Sequence, residues 1–419
     1  MGRYIPDPFE TLPSELRLRI FSFLQCKSSI LPLIEASPAM LQQYLANKRR
    51  ILRPALAAEF DEEMIQDAMA IILCPKAHLY LLIGRDAEPM AQHIRSWSQY
   101  QLPNPLEENN DYLLDRLNKL HNQLLILIED YITKGIASCP PREYSCLPKT
   151  RTTERHLMFK NQVVTTRFDS AYLTAAERKK FLQAFLVYEL CCKTSNVRLR
   201  FPQLFISEMV SECKLSRVQY EYLRCVDGYF RSLYGAIFAQ CTEESFLRRA
   251  YEGCPLRFRV KASLAFDPNA YAPNLMWHKS QGASQGDYAA CFPRLGLDRL
   301  LDFLSYDMSN KDDRKALKRK LKFVWDSQHP AKAKDWTKAF GVLMSANGRK
   351  SSRDIYGKIG VCHQDEPQLR VAQQSAWIFF DDERFYPPEP MSQWMERPKH
   401  PRRQPGKKRD FSEYVTHWE

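Results

Sequence analysis

Apolar residues return at helical spacing through most of the chain, and the stretch from Thr11 to Leu52 shows the pattern in miniature. Its spacing predicts three short helices joined by tight turns. Thr11 is placed to cap the first, with Pro13 in the opening turn, where a missing N–H forfeits no intrahelical bond. Leu16, Ile20, Phe23 and Leu24 then form one apolar face, with Arg17 and Arg19 turned to water. Ser28 or Ser29 starts a second element holding Ile30, Leu31, Leu33 and Ile34, which Pro32 is expected to keep short. Ser37-Pro38 repeats the start signal, and Met40, Leu41, Tyr44 and Leu45 supply a third stripe. A unit of about forty residues rarely holds itself together. Leaving Leu12, Leu16, Ile20 and Phe21 exposed would forfeit about 1.5–3 kcal/mol apiece, so a partner helix is expected, from this chain or another.

Helical periodicity continues beyond this module. Asp61 to Leu73 reads as a helix ended by Cys74-Pro75, and residues 76 to 101 as further helix interrupted near Gly84 and Pro89. From Asn110 to Lys134, Leu113, Leu117, Leu120, Leu124, Leu127, Ile128 and Tyr131 make one stripe, with Gly135 placed as a C-terminal stop. Residues 138–153, rich in Pro, Cys and basic side chains, read as a loop and a candidate internal boundary. Val163 to Thr166 has strand composition. Thr174-x-x-Glu177 and Ser216-x-x-Gln219 are capping boxes, each opening a helix. Gly253 to Asp287 reads as a long loop containing Trp277-His278. Helix resumes from Leu295 to Met308. Asp312-Asp313 then opens a basic helix, with Lys315, Lys318, Arg319, Lys320 and Lys322 around Leu317, Leu321 and Val324. Trp377-Ile378-Phe379-Phe380 is expected to close the core, leaving Asp381-Asp382-Glu383 at the surface. The fold class is therefore mainly α: a three-helix module over 1–54, a large helical body over 55–390 and a basic, disordered tail over 391–419.

Composition narrows the chemistry. The 419 residues, 44% hydrophobic and 26% charged, suffice for a sizeable core. The best apolar run, Leu124 to Ile128, is cut by Glu129 and Asp130, so no membrane span is expected, and an intracellular site, cytoplasmic or nuclear, is. Twelve cysteines without a C-x-x-C pair suggest reduced, largely buried thiols. There is no G-x-S-x-G elbow and no H-E-x-x-H, and Gly348-Arg349-Lys350-Ser351 lacks the upstream glycine of a phosphate loop. No catalytic residue, cofactor or metal is expected. The net charge of +12 favours acidic partners. It motivates one reading as a nuclear nucleic-acid-binding or scaffold protein. Lys318, Arg319 and Lys322 would then act with Arg402, Arg403, Lys407, Lys408 and Arg409 of the tail as phosphate or import contacts.

The run Leu12-Pro13-x-Glu15-Leu16-x-x-x-Ile20-Phe21-x-x-Leu24, followed by Leu31 and Ser37, resembles an F-box. Its continuation, Leu33-Ile34-x-Ala36-Ser37-Pro38 with Tyr44-Leu45 and Ile51-Leu52, is similar to the form of that motif found in filamentous fungi. The basic-aromatic segment usual near the motif's end is replaced by Gln42-Gln43-Tyr44 and Lys48-Arg49-Arg50. The resemblance implies a non-catalytic substrate receptor of a cullin-RING ubiquitin ligase. The module would dock on the Skp-type adaptor subunit, and through it a cullin, while the body holds a client protein of unknown identity. Leu12, Pro13, Leu16, Ile20, Phe21, Leu24 and Leu31 are the positions it implies at the adaptor or in the module's core.

Overall fold

The computed structural model describes residues 7–24, 27–75, 87–107, 110–137, 140–149, 156–160, 162–198, 216–241, 266–269, 289, 292–327, 366–381 and 385. Trp277-His278, the Gly348 segment and the tail with Arg402, Arg403, Lys407, Lys408 and Arg409 lie outside them. The described chain is mostly helical.

The module's helices are α1 (Ser14–Phe23), α2 (Lys27–Ala36) and α3 (Pro38–Ala46). Ser37 caps α3 as its spacing predicts, its Oγ accepting the Met40 N–H at 3.0 Å with Pro38 opening the helix. Asp7 reinforces this start: its Oδ2 accepts from the Ser37 hydroxyl at 2.7 Å and the Ala39 N–H at 3.0 Å. Those bonds hold its carboxyl below the usual range. Thr11 does not cap α1; Pro13 takes that place without a side-chain bond, and the Thr11 hydroxyl turns back to the Pro8 carbonyl. Nor does Pro32 shorten α2, which runs through it. The proline costs about 3 kcal/mol. Seating Ile30, Leu33 and Ile34 around Phe21 and Met40 offsets that, at about 1.5–3 kcal/mol per buried side chain.

Helix α4 (Lys48–Glu59) runs straight through the boundary expected at residue 54. Ile51 belongs to the module's small core, whereas Leu52 and Leu56 belong to the main one. The two cores therefore share one helix. The body follows with α5 (Glu62–Ile72), α6 (Ala87–Ser98), α7 (Asp111–Gly135) and α8 (Pro140–Tyr144). Three antiparallel strands, β1 (Leu147–Pro148), β2 (His156–Phe159) and β3 (Gln162–Thr166), lie in chain order, with an irregularity between Leu157 and Met158. Then come α9 (Ala175–Arg198), α10 (Arg217–Cys241), α11 (Gly296–Leu304), α12 (Lys311–Ser327) and α13 (Glu366–Gln374). Apolar side chains of α5, α7, α9 and α10 fill the main core.

Local signals are obeyed where they are strong. In both capping boxes each partner bonds the other's backbone: Glu177 N–H to Thr174 Oγ1 at 3.1 Å and Thr174 N–H to Glu177 Oε2 at 2.9 Å, with Ser216 and Gln219 doing the same. Residues 138–153 depart from the expected boundary loop. Within the described part, 140–149, α8 and β1 form; Tyr144 and Leu147 are buried in the main core, and Cys146 in a small cluster with Leu157 and Phe159. Gly135 is not a left-handed stop. It is the last residue of α7, and it lets the backbone of Ser375 pass at close range.

That passing segment closes the core, as the aromatic run near 378 predicts. Beyond α13, Ala376 takes a left-handed backbone (φ 58°) that swings Trp377–Phe379 inward. Phe379 stacks on Phe181 at 4.2 Å and on Tyr222 at 4.7 Å. Asp381 stays at the surface, paired with Lys180.

Asp67 of α5 is a buried carboxyl that accepts the Trp97 indole N–H at 2.8 Å and so ties α6 to the core. Burial pushes it up to about 7; the Trp97 bond opposes this, and the charges of Glu63 and Asp61 add to it. Because the folded state holds this proton more tightly than the unfolded chain, with its ordinary value of 3.8, the stabilisation is complete below that value and lost as pH rises through 7. Asp67→Asn keeps an acceptor for Trp97 and removes the ionisation. It should raise stability at pH 8 by on the order of 2–4 kcal/mol and change little at pH 4. Urea unfolding at the two pH values checks this; an equal effect at both would contradict it.

Candidate functional site

Apolar stripes on α1 and α3 form the candidate site. On α1, Leu16, Ile20 and Phe23 recur at i, i+4 and i+7, as the spacing predicts, but the stripe faces outward. Leu16 is 46% exposed and Phe23 73%, while Ile20 sits at the rim against the module's core. Phe21, only 2% exposed, points the other way and packs in that core, one of the two places the resemblance implies for it. Leu12 is half-buried, Pro13 is exposed and Leu24 packs on the core. Leu31 lies in α2, its side chain outside the described set. On α3 the inward positions are Met40, Gln43 and Tyr44, which leaves Leu41 at 39% and Leu45 at 64% exposure. Gln43 donates to the Ser14 carbonyl at 3.3 Å and so holds the start of α1 against α3. Sequence reasoning missed Phe23, Leu41 and Leu45 as surface residues. The signal was the pair Leu18 and Phe21, at i and i+3, which defines the opposite face of α1 as the buried one.

The module's far side is occupied by its own chain. Lys48 Nζ pairs with Asp115 at 3.2 Å, Arg49 with Asp111 at 2.8 Å and Asp115 at 3.6 Å, and Arg53 with Asp111 at 2.8 Å. Lys48, Arg49 and Arg53 thus serve as a clamp of α4 onto α7. Each half-exposed pair contributes about 0.2–1 kcal/mol. The clamp therefore orients α4, and Leu52 and Leu56 supply most of the adhesion.

Among the other basic candidates, Arg319 and Lys322 are exposed on α12 and Lys318 is half-buried. Lys320 is turned inward, bonded to Asp302 at 2.6 Å and lying 5.4 Å from the Tyr306 ring centre.

The body also holds a charged cluster that sequence reasoning did not assemble. Asp130 Oδ2 accepts from Lys134 Nζ at 2.6 Å and from the Tyr229 hydroxyl at 2.7 Å, and all three side chains are fully buried. Burial pushes the Asp130 carboxyl up, while the Lys134 charge and both bonds pull it down. The ammonium lies 5.8 and 5.7 Å from the ring centres of Tyr144 and Tyr229. Beside it, Glu129 accepts from Arg167 Nε at 2.9 Å and from the Ser170 hydroxyl at 2.8 Å. Enclosed on every side, the cluster braces α7, α10 and the segment after β3. The clue in the sequence was an i, i+4 acid and lysine interrupting the apolar stripe of α7.

Among the described residues, no group of His, Cys, Asp and Glu is arranged to hold a metal ion, and no helix is long and apolar enough to cross a membrane. Compared with known proteins, the chain matches no family model, no curated protein and no solved structure.

Proposed function

We propose that the protein is a non-catalytic substrate receptor. Its outward stripes on α1 and α3 dock on a Skp-type adaptor of a cullin-RING ligase, and the helical body holds a client protein. The observation that carries the reading is that Leu16, Phe23, Leu41 and Leu45 stand in water on two packed helices of a module whose opposite side is already clamped to the body. Side chains of this size are worth about 1.5–3 kcal/mol each when fully buried, enough together for the centre of an interface. The F-box-like spacing lies over the same helices. The mechanism is proximity: a bound client meets a ubiquitin-charged enzyme at high effective concentration.

The test is a pull-down of the full chain with purified adaptor, comparing the native protein with Leu16→Glu/Leu45→Glu. Both positions are exposed, so the variant should fold, as circular dichroism would verify. Native binding with a loss of a hundredfold or more in the variant is expected. Native protein that is folded yet fails to bind would refute the reading.

A further inference from the structure

A second surface, independent of the adaptor reading and going beyond it, is built around α12. Lys311, Lys315 and Arg319 recur at helical spacing along its exposed side, with Lys322 a turn further on and half-buried Lys318 beside them. Among the described residues, Lys311, Lys315, Lys318 and Arg319 make no ion pair. Asp312 and Asp313 stand at the helix start, where Asp313 accepts the Asp307 N–H at 2.9 Å. The opposite edge, Leu317 and Leu321, is sealed in the main core, so α12 has no apolar face to offer a bilayer.

A distant part of the chain joins this surface. Lys160 opens the turn between β2 and β3 in a left-handed conformation (φ 43°). Its N–H bonds Gln240 Oε1 at 3.1 Å, while Gln240 Nε2 donates to the carbonyls of Ser145 and Met158 at 2.9 and 3.2 Å, which fastens the hairpin to the end of α10. Cys241, the last residue of α10, feels Lys318, Arg314 and Lys160 together: all three pull its thiol down against the burial that pushes it up to about 12. Lys160, held to Gln240, and the basic helix α12, packed on α10, therefore both lie near the C-terminal, negative end of the α10 dipole. Phe323, next to Lys322 and one turn beyond Arg319, is 64% exposed.

We infer that this surface binds single-stranded nucleic acid, with backbone phosphates along Lys311, Lys315, Lys318 and Arg319, Lys160 at the side, and a base stacked on Phe323. Cations that displace condensed counterions supply affinity without sequence preference, and an exposed aromatic ring beside them is the stacking partner such ligands use. An acidic peptide would satisfy the cations and leave the ring without a flat partner.

The experiment is fluorescence anisotropy of the full chain with labelled oligouridine and oligothymidine of about 15 nucleotides. Binding is expected at about 50 mM salt, weakening as salt rises with a slope of about −0.7 per phosphate neutralised. Lys315→Ala/Arg319→Ala should lower affinity tenfold or more and flatten that slope by about 1.4. Phe323→Ala should lower affinity about tenfold and leave the slope alone. These are surface positions, and unchanged thermal melts would exclude misfolding. A preference for one oligomer supports the inference and identifies RNA or DNA as the source. The inference is overturned by any of three results. Neither oligomer binds; binding persists unchanged in the double variant, which places it elsewhere on the chain; or polyglutamate competes as well as the oligomers while Phe323→Ala has no effect.

Discussion

Lys134→Ala is expected to destabilise the body by about 3–5 kcal/mol, seen as a large fall in the guanidinium midpoint. Lys134 is fully buried, and its ammonium is the counter-charge of the equally buried Asp130 at 2.6 Å. Removing it leaves a carboxylate in a low-dielectric interior whose remaining hydrogen-bond partner, among the described residues, is the Tyr229 hydroxyl. It also removes the cation lying beside the Tyr144 and Tyr229 rings. The pair is not thereby a source of net stability, since desolvating two charges offsets most of their attraction. Asp130→Leu/Lys134→Met/Tyr229→Phe, which removes every member together, should accordingly recover most of the loss. A single variant losing less than about 1 kcal/mol would show that Asp130 does not depend on Lys134.

Gly135→Ala should destabilise by about 2–3 kcal/mol although alanine is the better helix former by about 1 kcal/mol. A Cβ at this position would lie 2.9 Å from both the carbonyl carbon and the oxygen of Ser375, and 3.1 Å from the Gln374 oxygen. All three are backbone atoms, and their segment cannot yield. The Tyr131 and Tyr144 hydroxyls bond the carbonyls of Gln373 and Gln374, and the Gln374 side chain bonds Phe266 at both its N–H and its carbonyl. Gly228, in the middle of α10, supplies the control, because its Cβ would meet nothing within 4 Å. Gly228→Ala should stabilise by about 0.5–1 kcal/mol. Thermal melts of the two variants should therefore move in opposite directions. A rise for Gly135→Ala would mean that the α13 segment packs less tightly than its bonds indicate.

What could be read from the sequence was what is decided within a few residues. The Ser37 cap, both capping boxes and the helical spacing of α1, α3, α7 and α10 depend on neighbours in the chain, and they formed as expected. Direction was harder. Leu16, Ile20 and Phe23 are a genuine stripe, yet which side of α1 is inward depends on where α3 and α4 lie, and Leu18 and Phe21 won that side. Gly135 satisfied a local stop rule, but its glycine is required by a backbone some 240 residues away in sequence. Composition misled at 138–153, where prolines and basic residues suggested solvent while Tyr144, Cys146 and Leu147 are interior. Lys48, Arg49 and Arg53 could not be paired with Asp111 and Asp115 until α4 was laid against α7. The candidate site was legible as a place and in Leu16, but not as a full set of contacts, since Phe23, Leu41 and Leu45 were read as members of apolar stripes and not singled out as contacts.

Helix α4 carries Pro54 between Leu52 and Leu56, so the Arg50 carbonyl lacks its usual donor just where the helix passes from one core to the other. A helix bends most easily at such a joint. On the module's side of it, the ionic clamp to α7 acts as a locking pin, and it is built from half-exposed pairs that salt screens over about 10 Å at 0.1 M. In dilute buffer the pin is expected to hold the module at one angle to the body. In brine it should weaken while the apolar seat of Leu52 and Leu56 stays engaged, which would widen that angle into a spread. Whatever is carried on either side would then be presented over an arc where dilute buffer gives a single pose.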